Sequence, residues 1–231
     1  MQQAGLPHGS HVSLSCASAI HFCISQRGMA SRVMTVDLFL ALMVFAFVMS
    51  VTLGPNNVML LASGVNYGFQ RSIPHMLGIT FGFSFMIVVV GLGLGQMFER
   101  FPITYEILRY AGGAYMLWLA WRIANSGPVG EGKTSGSPLT FLQAALFQWV
   151  NPKAWVITIS AIATYTPGDG SLWPVILVAL VCGVVNFPTI GLWTMFGTLL
   201  RSMLTQPTFL RVFNISMAVL LVLSLAPLVW D

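Results

Sequence analysis

Two short polar stretches interrupt long apolar runs of this chain, and their residue types could bind a small zwitterion. Proline removes a backbone donor and frees a carbonyl group, while asparagine and glutamine side chains supply both donors and acceptors. The start of a helix attracts a carboxylate, and exposed carbonyl oxygens hold a cation. Because an amino acid carries one group of each charge, we expect these stretches to form a substrate site. Their residues are Gly54, Pro55, Asn56, Asn57, Gln148, Asn151, Pro152 and Lys153.

Lys153 carries the one full charge of the two stretches. A lysine inside an apolar segment is costly and needs a partner or water. It is therefore interpreted as contacting a substrate carboxylate or gating a cavity; alternatively, it lies at a membrane edge and extends to water. Gln148 and Asn151 stand three apart and are expected to share a helix face that lines the cavity. Asn186, just ahead of Pro188, is a further candidate, unless it only marks a kink or a helix contact.

The composition is that of a membrane protein. Of 231 residues, 56% are hydrophobic and 7% are charged, whereas soluble proteins carry about 25% charged residues. This leaves too little polarity to cover a water-facing surface, so the lipid bilayer is the expected surrounding. The basic residues are scattered singly without forming a stripe, which argues against nucleic acid as a partner. No spacing of His, Cys or acidic residues indicates a metal site, a cofactor or a catalytic centre, so an enzyme is not expected.

Six apolar segments follow one another along the chain. A helix of about 20 residues crosses the roughly 30 Å hydrocarbon core, and helices are required because backbone groups in lipid must be satisfied internally. The predicted fold is an all-α polytopic membrane protein with six transmembrane helices. The segments lie near 36–58, 74–97, 104–124, 139–164, 173–197 and 208–229.

The chain divides into a tail and two halves. Residues 1–33 are interpreted as a flexible N-terminal tail or as an over-long start. A Gly- and Ser-rich stretch at 125–138 is predicted to be a flexible linker. It separates a first three-helix repeat at 34–124 from a second at 139–231.

The two halves share one order of features. Pro55 and Pro152 fall 97 residues apart, and Arg109 and Arg211, each at the start of the last helix of a half, fall 102 apart. Duplicated halves with an odd number of helices must insert in opposite orientations, which is the inverted-repeat plan of many transporters. The breaks would then lie in helices one and four. The alternative is that each proline is only a kink and each asparagine only a helix contact.

The basic residues of the loops predict the orientation. By the positive-inside rule the odd loops face the cytoplasm, which puts both termini in the periplasm of a bacterial inner-membrane protein. Arg27 and Arg32 of the tail oppose this orientation. The even loops carry Arg100 and Arg109, and the odd loops carry Arg71, Arg122, Lys133, Arg201 and Arg211.

Several of these residues carry a family resemblance that covers about Met34 to Trp230. Gly54-Pro55-Asn56, followed by Gly64, Gly68, Gly78 and Gly82, resembles the first-half signature of the LysE/RhtB family of amino-acid exporters. The run from Gly112 to Leu117 is similar to its Gly-Ala-x-Tyr-Leu pattern, and Gln148 to Ala154 resembles its second-half motif. The resemblance implies efflux of amino acids or close relatives, driven by the proton-motive force. It does not fix the substrate. Gly78 and Gly82 also have the spacing of closely packed helices.

The charges inside the apolar segments narrow the class of substrate that we expect. No Asp or Glu lies in the middle of any segment, and a lysine- or arginine-like cargo would need a carboxylate partner there. We therefore hypothesise a neutral substrate. Because no acidic residue lies in the middle of a segment, Asp37 is the nearest titratable candidate for proton coupling. His75 is interpreted as a membrane-interface residue. The expected partners are this small-molecule substrate and the lipid bilayer, and assembly into a homo-oligomer is a further alternative.

Three other functions are weighed against export. A membrane thiol or electron carrier needs a reactive cysteine in each broken helix, and neither has one. A metal exporter would need carboxylates, His or thiolates in its core. A membrane subunit without transport activity is the third alternative.

Overall fold

The computed structural model describes residues 35–94, 102–126, 137–166, 171–204 and 206–225, and these are mostly helical, with no strand among them. The predicted tail at 1–33 and most of the predicted linker lie outside these residues. A π-helical turn, Val90–Leu94, extends α3, and a 3-10 turn, Gln148–Val150, extends α5. The helices are α1 Val36–Val51, α2 Pro55–Tyr67, α3 Phe69–Val89, α4 Pro102–Ala124, α5 Phe141–Phe147, α6 Pro152–Tyr165, α7 Leu172–Arg201 and α8 Pro207–Leu223.

Two helical stretches of the described chain are long and apolar enough to cross a membrane, namely Phe69–Gly93 and Leu172–Arg201. The pair α1 and α2, bent by 57° at its break, meets the same criterion when taken as one span. The apolar helices Phe141–Val150 and Pro207–Leu223 are shorter. Large apolar side chains such as Phe81 are exposed on these helices, as expected where the solvent is lipid.

The first junction differs from the prediction. The connection expected between the segments near 36–58 and 74–97 is helical apart from Gly68, so α2 continues to Tyr67 and α3 begins at Phe69 rather than near residue 74. The N–H of Gly68 donates to the carbonyl of Gly64 and closes α2. Gly68 then turns the chain with φ +82°, a conformation that glycine adopts without strain.

Helix α7 packs against α1, α2 and α3, while α3 packs against α5 and α4 against α8. The contact between α2 and α7 joins two backbones. A Cβ atom at Gly64 would stand 2.2 Å from the carbonyl oxygen of Thr194, and one at Gly197 would stand 2.3 Å from that of Leu61. Helix α2 is consequently buried along nearly its whole length.

The glycines of α3 serve packing, as their spacing indicated. A Cβ atom at Gly78 would stand 2.3 Å from the carbonyl oxygen of Phe141, and one at Gly82 would stand 2.5 Å from the Cα of Ala145. The prediction that Gly78 and Gly82 allow close helix approach is confirmed.

Candidate binding site at two helix breaks

The two breaks share one backbone plan. Gly54 precedes α2 and Asn151 precedes α6, both with extended backbone, and Pro55 and Pro152 open the helices that follow. Proline suits this position because the N–H that it lacks would have no partner inside the helix. Asn151 accepts a hydrogen bond from the backbone N–H of Lys153 at 3.1 Å. Gly54 has no side chain to do the same, so the first turn of α2 has no side-chain cap.

Asn56 and Gln148 join the two breaks. Asn56 Nδ2 donates to Gln148 Oε1 at 2.9 Å, and Gln148 Nε2 donates to Asn56 Oδ1 at 3.2 Å. Gln148 is completely buried and also donates to the carbonyl of Ala144 at 2.9 Å. Side chains from the two halves of the chain are thus tied by a reciprocal amide pair.

Two other polar side chains of the breaks bind the C-terminal end of α1. Asn57 Nδ2 donates to the carbonyls of Ser50 at 2.9 Å and Thr52 at 2.8 Å. Lys153 Nζ donates to the carbonyl of Thr52 at 2.5 Å and to its hydroxyl at 2.8 Å. The lysine reaches there across Gly54, where a Cβ atom would stand 2.6 Å from Lys153 Cδ. Because the end of a helix carries partial negative charge, it stabilises an ammonium group.

A pocket opens between these groups. Asn186 of α7 contributes a side chain that is 7% exposed, and its Nδ2 has no hydrogen-bond partner among the described residues. Phe83 and Asn186 lie near the middles of the two long helical stretches, so the pocket lies at their mid-height. Its lining residues are Ala46, Met49, Ser50, Gly54, Asn56, Asn57, Phe83, Asn151, Lys153, Ala154, Ile157, Cys182 and Asn186.

The structure gathers six of the nine predicted site residues around this pocket: Gly54, Asn56, Asn57, Asn151, Lys153 and Asn186. Gln148 holds Asn56 without lining the pocket, and Pro55 and Pro152 shape the backbone. The expectation that Gln148 and Asn151 share a helix face is wrong, because Gln148 begins a 3-10 turn that ends at Val150 and Asn151 itself has extended backbone.

Sequence reasoning missed Ser50 and Thr52, whose carbonyls bind Asn57 and Lys153. Their position just ahead of a Gly-Pro pair was the available signal, since such a pair ends the preceding helix. The interpretation of His75 as an interface residue is also wrong. Its side chain is only 2% exposed and is among the buried residues of α3.

The chemistry of the pocket is that of amides, carbonyls and one ammonium group. No acidic side chain of the described chain lines it. Cys182 is a buried free thiol on the pocket wall. No three His, Cys, Asp or Glu side chains come together within the described ranges. The arrangement can bind a carboxylate and an ammonium group side by side.

Comparison with known proteins agrees with the sequence resemblance. The family model of LysE type translocators matches residues 47–227. Proteins named cysteine/O-acetylserine efflux protein from Escherichia coli strain HS, Escherichia coli strain K12 and Shigella sonnei are each 31% identical over 194 residues, covering 82% of this chain and 96% of the relative. No solved structure matches. The chain belongs to the LysE type translocator family.

Proposed function

We propose that this LysE type translocator exports small neutral amino acids, with cysteine and O-acetylserine as the first substrates to test. The observation that carries the proposal is the pocket in which two proline-led half-helices bring Lys153 together with Asn56, Asn57 and Asn151. The relatives named for cysteine and O-acetylserine efflux support the choice of substrates.

Each charged group of an amino acid has a counterpart in the pocket. The first turn of α2, which lacks a side-chain cap, and the ammonium group of Lys153 attract a carboxylate. The carbonyls of Ser50 and Thr52 accept hydrogen bonds from a substrate ammonium. Because Lys153 now donates to Thr52, a bound ammonium group would displace it toward the carboxylate. The lack of an acidic lining residue in the described chain favours a neutral cargo.

The proposed architecture is six spans in two inverted repeats. The spans are α1 with α2, α3, α4, α5 with α6, α7, and α8. In support, α3 of the first half packs against α5 of the second half, and α7 of the second half packs against α1 of the first. In each case the second span of one half contacts the first span of the other. Both breaks also place a proline at the first position of the second helix. The pocket then falls at the membrane midplane, where such transporters bind substrate.

Four arginines gather at one end of the helices: Arg71, Arg122, Arg201 and Arg211. The guanidinium carbon of Arg71 lies 6.0 Å from the ring centroid of Tyr67. Tyr67 and Arg122 line the same pocket. Arg201 lies beside Gly68, where a Cβ atom would stand 3.3 Å from Arg201 Nη1. Arg211 lines a groove together with Ser126, and Ser126 also lines the pocket of Tyr67 and Arg122. We assign this arginine-rich end to the cytoplasm by the positive-inside rule, with both termini in the periplasm of a bacterial inner membrane and the proton-motive force as the driver.

An efflux assay tests the function. Cells that express the chain should release labelled O-acetylserine and cysteine faster than cells with an empty vector, and a protonophore should abolish the difference. Lys153→Met should remove most of the gain. Equal release with and without the chain would refute the proposal, and specific export of arginine or lysine would refute the neutral cargo. Alkaline phosphatase fused after Asp231 should be active if the C-terminus is periplasmic.

A further inference from the structure

A second polar pocket lies at the opposite end of α2 from the breaks. The name "His75 pocket" is used for the site formed by Ser63, Asn66, His75, Arg122, Ser126 and Ser137, which line it together with apolar neighbours. His75 is 2% exposed, and neither of its ring nitrogens has a hydrogen-bond partner among the described residues. Leaving such a group unpaired in the core is costly, so a polar molecule in the pocket, either water or a ligand, is its expected partner.

Arg122 supplies the charge of the His75 pocket. Its Nη2 donates to the carbonyl of Ser137 at 2.6 Å, and its guanidinium lies 5.5 Å from the ring centroid of Trp118. Within the described chain, Arg122 contacts Ser137 and Trp118 and no carboxylate. A guanidinium group has five N–H donors, so Arg122 keeps donors for an anion.

Two further polar side chains of the pocket are paired within the described chain. Ser63 Oγ lies 2.7 Å from Ser72 Oγ. Asn66 and Asn214 exchange hydrogen bonds of 2.8 and 3.1 Å. These groups frame the pocket, while His75 and Arg122 have donors or acceptors that no described residue binds.

We infer that the His75 pocket is a second substrate station, which binds the carboxylate of an amino acid at the arginine-rich end before the molecule reaches the breaks. The guanidinium of Arg122 matches a carboxylate in geometry and charge. A neutral imidazole offers one donor and one acceptor, so His75 can contact both the carboxylate and the adjacent ammonium group. This inference rests on the proposed function.

Helix α2 connects the two stations. Asn56 borders the pocket at the breaks and Asn66 borders the His75 pocket. Ten residues of helix separate them, or roughly 15 Å at the usual rise per residue. A substrate that moves from one station to the other would therefore travel about the length of α2.

Binding to the purified full chain in detergent tests the station without requiring transport. The probes are O-acetyl-L-serine and its methyl ester, which lacks the carboxylate charge. Arg122→Gln should weaken binding of the acid about tenfold and leave binding of the ester unchanged, as expected for one lost charge-assisted bond. Arg211→Gln, the same change at the same end but outside the pocket, should leave both affinities unchanged. His75→Leu should also weaken binding of the acid. It should fold, because His75 has no hydrogen-bond partner among the described residues.

Transport into inside-out vesicles tests the place of the station in the route. Arg122→Gln and His75→Leu should raise KM for O-acetylserine and retain most of the maximal rate. If both variants match Arg211→Gln in KM and in binding, the second station is refuted although the exporter stands. If the wild-type chain transports nothing, the proposed function fails, and the binding comparison still decides the station: loss of acid binding in Arg122→Gln supports it and unchanged binding refutes it.

Discussion

Asn56 and Gln148 exchange two hydrogen bonds, at 2.9 and 3.2 Å, across 92 residues of sequence. The opposite end of α2 is held in the same way, since Asn66 and Asn214 exchange bonds of 2.8 and 3.1 Å. Helix α2 is thus fixed at both ends by amide pairs that lie beside the two polar pockets.

Loss of the amide pair at the breaks should destabilise the protein. Asn56→Leu leaves the buried amide of Gln148 without its partner, and we expect a loss of about 1–3 kcal/mol in the free energy of unfolding. Gln148→Leu should cost a similar amount, and the double variant should cost less than the sum of the two because the partners are in contact. Denaturant unfolding of the wild type, the two single variants and the double variant in detergent measures this double-mutant cycle. Asn125→Ala, at an exposed residue, is the control; strict additivity would argue against the pair.

Removal of the lysine charge should weaken substrate binding selectively. Lys153→Met is expected to raise KM for a neutral amino acid about tenfold, as for one charge-assisted hydrogen bond lost from a partly buried site. Export of the methyl ester should change little, because that substrate has no carboxylate for the ammonium group to bind. Arg211→Met serves as the charge-matched control. An unchanged KM in Lys153→Met would contradict the assigned contact.

The backbone contact between α2 and α7 should not tolerate a methyl group. Gly64→Ala would place a Cβ atom 2.2 Å from the carbonyl oxygen of Thr194, so the helices must separate, at a cost of about 1–3 kcal/mol. Gly113→Ala is the matched control, since a Cβ atom there meets no neighbouring atom within 4 Å. Its effect should be stabilising by no more than about 1 kcal/mol. Thermal unfolding of both variants in one detergent makes the comparison, and equal midpoints would refute the packing argument.

Asn186 should matter for transport more than for stability. Asn186→Leu removes an amide whose Nδ2 has no partner in the described chain, so the free energy of unfolding should change by less than about 1 kcal/mol. Export of O-acetylserine should nevertheless fall severalfold if this amide contacts substrate. Asn66→Leu, by contrast, breaks bonds to Ala62 and Asn214 and should destabilise by about 1–3 kcal/mol. A stable Asn186→Leu variant with full transport would remove Asn186 from the site.

Some features could be predicted because they depend on local chemistry. A proline after a Gly or Asn in an apolar run ends one helix and opens another, so Pro55 and Pro152 marked both breaks. The helix junction at Gly68 could not be placed in advance, because the residues around it suit a loop or a helix equally well. The core packing of α2 decided in favour of the helix. His75 was misjudged because its burial depends on the helices that pack around α3.

The sequence by itself determined the helical membrane character and the two breaks, because composition, apolar length and proline chemistry are properties of single segments. The family was indicated by the resemblance of its motifs. The sequence also identified six of the residues that line the pocket. Only the tertiary structure decided that Asn56 pairs with Gln148, that Lys153 binds the end of α1, and that His75 and Arg122 share a second pocket. These contacts join residues up to about a hundred positions apart, and their geometry depends on how the helices pack, which no local pattern specifies.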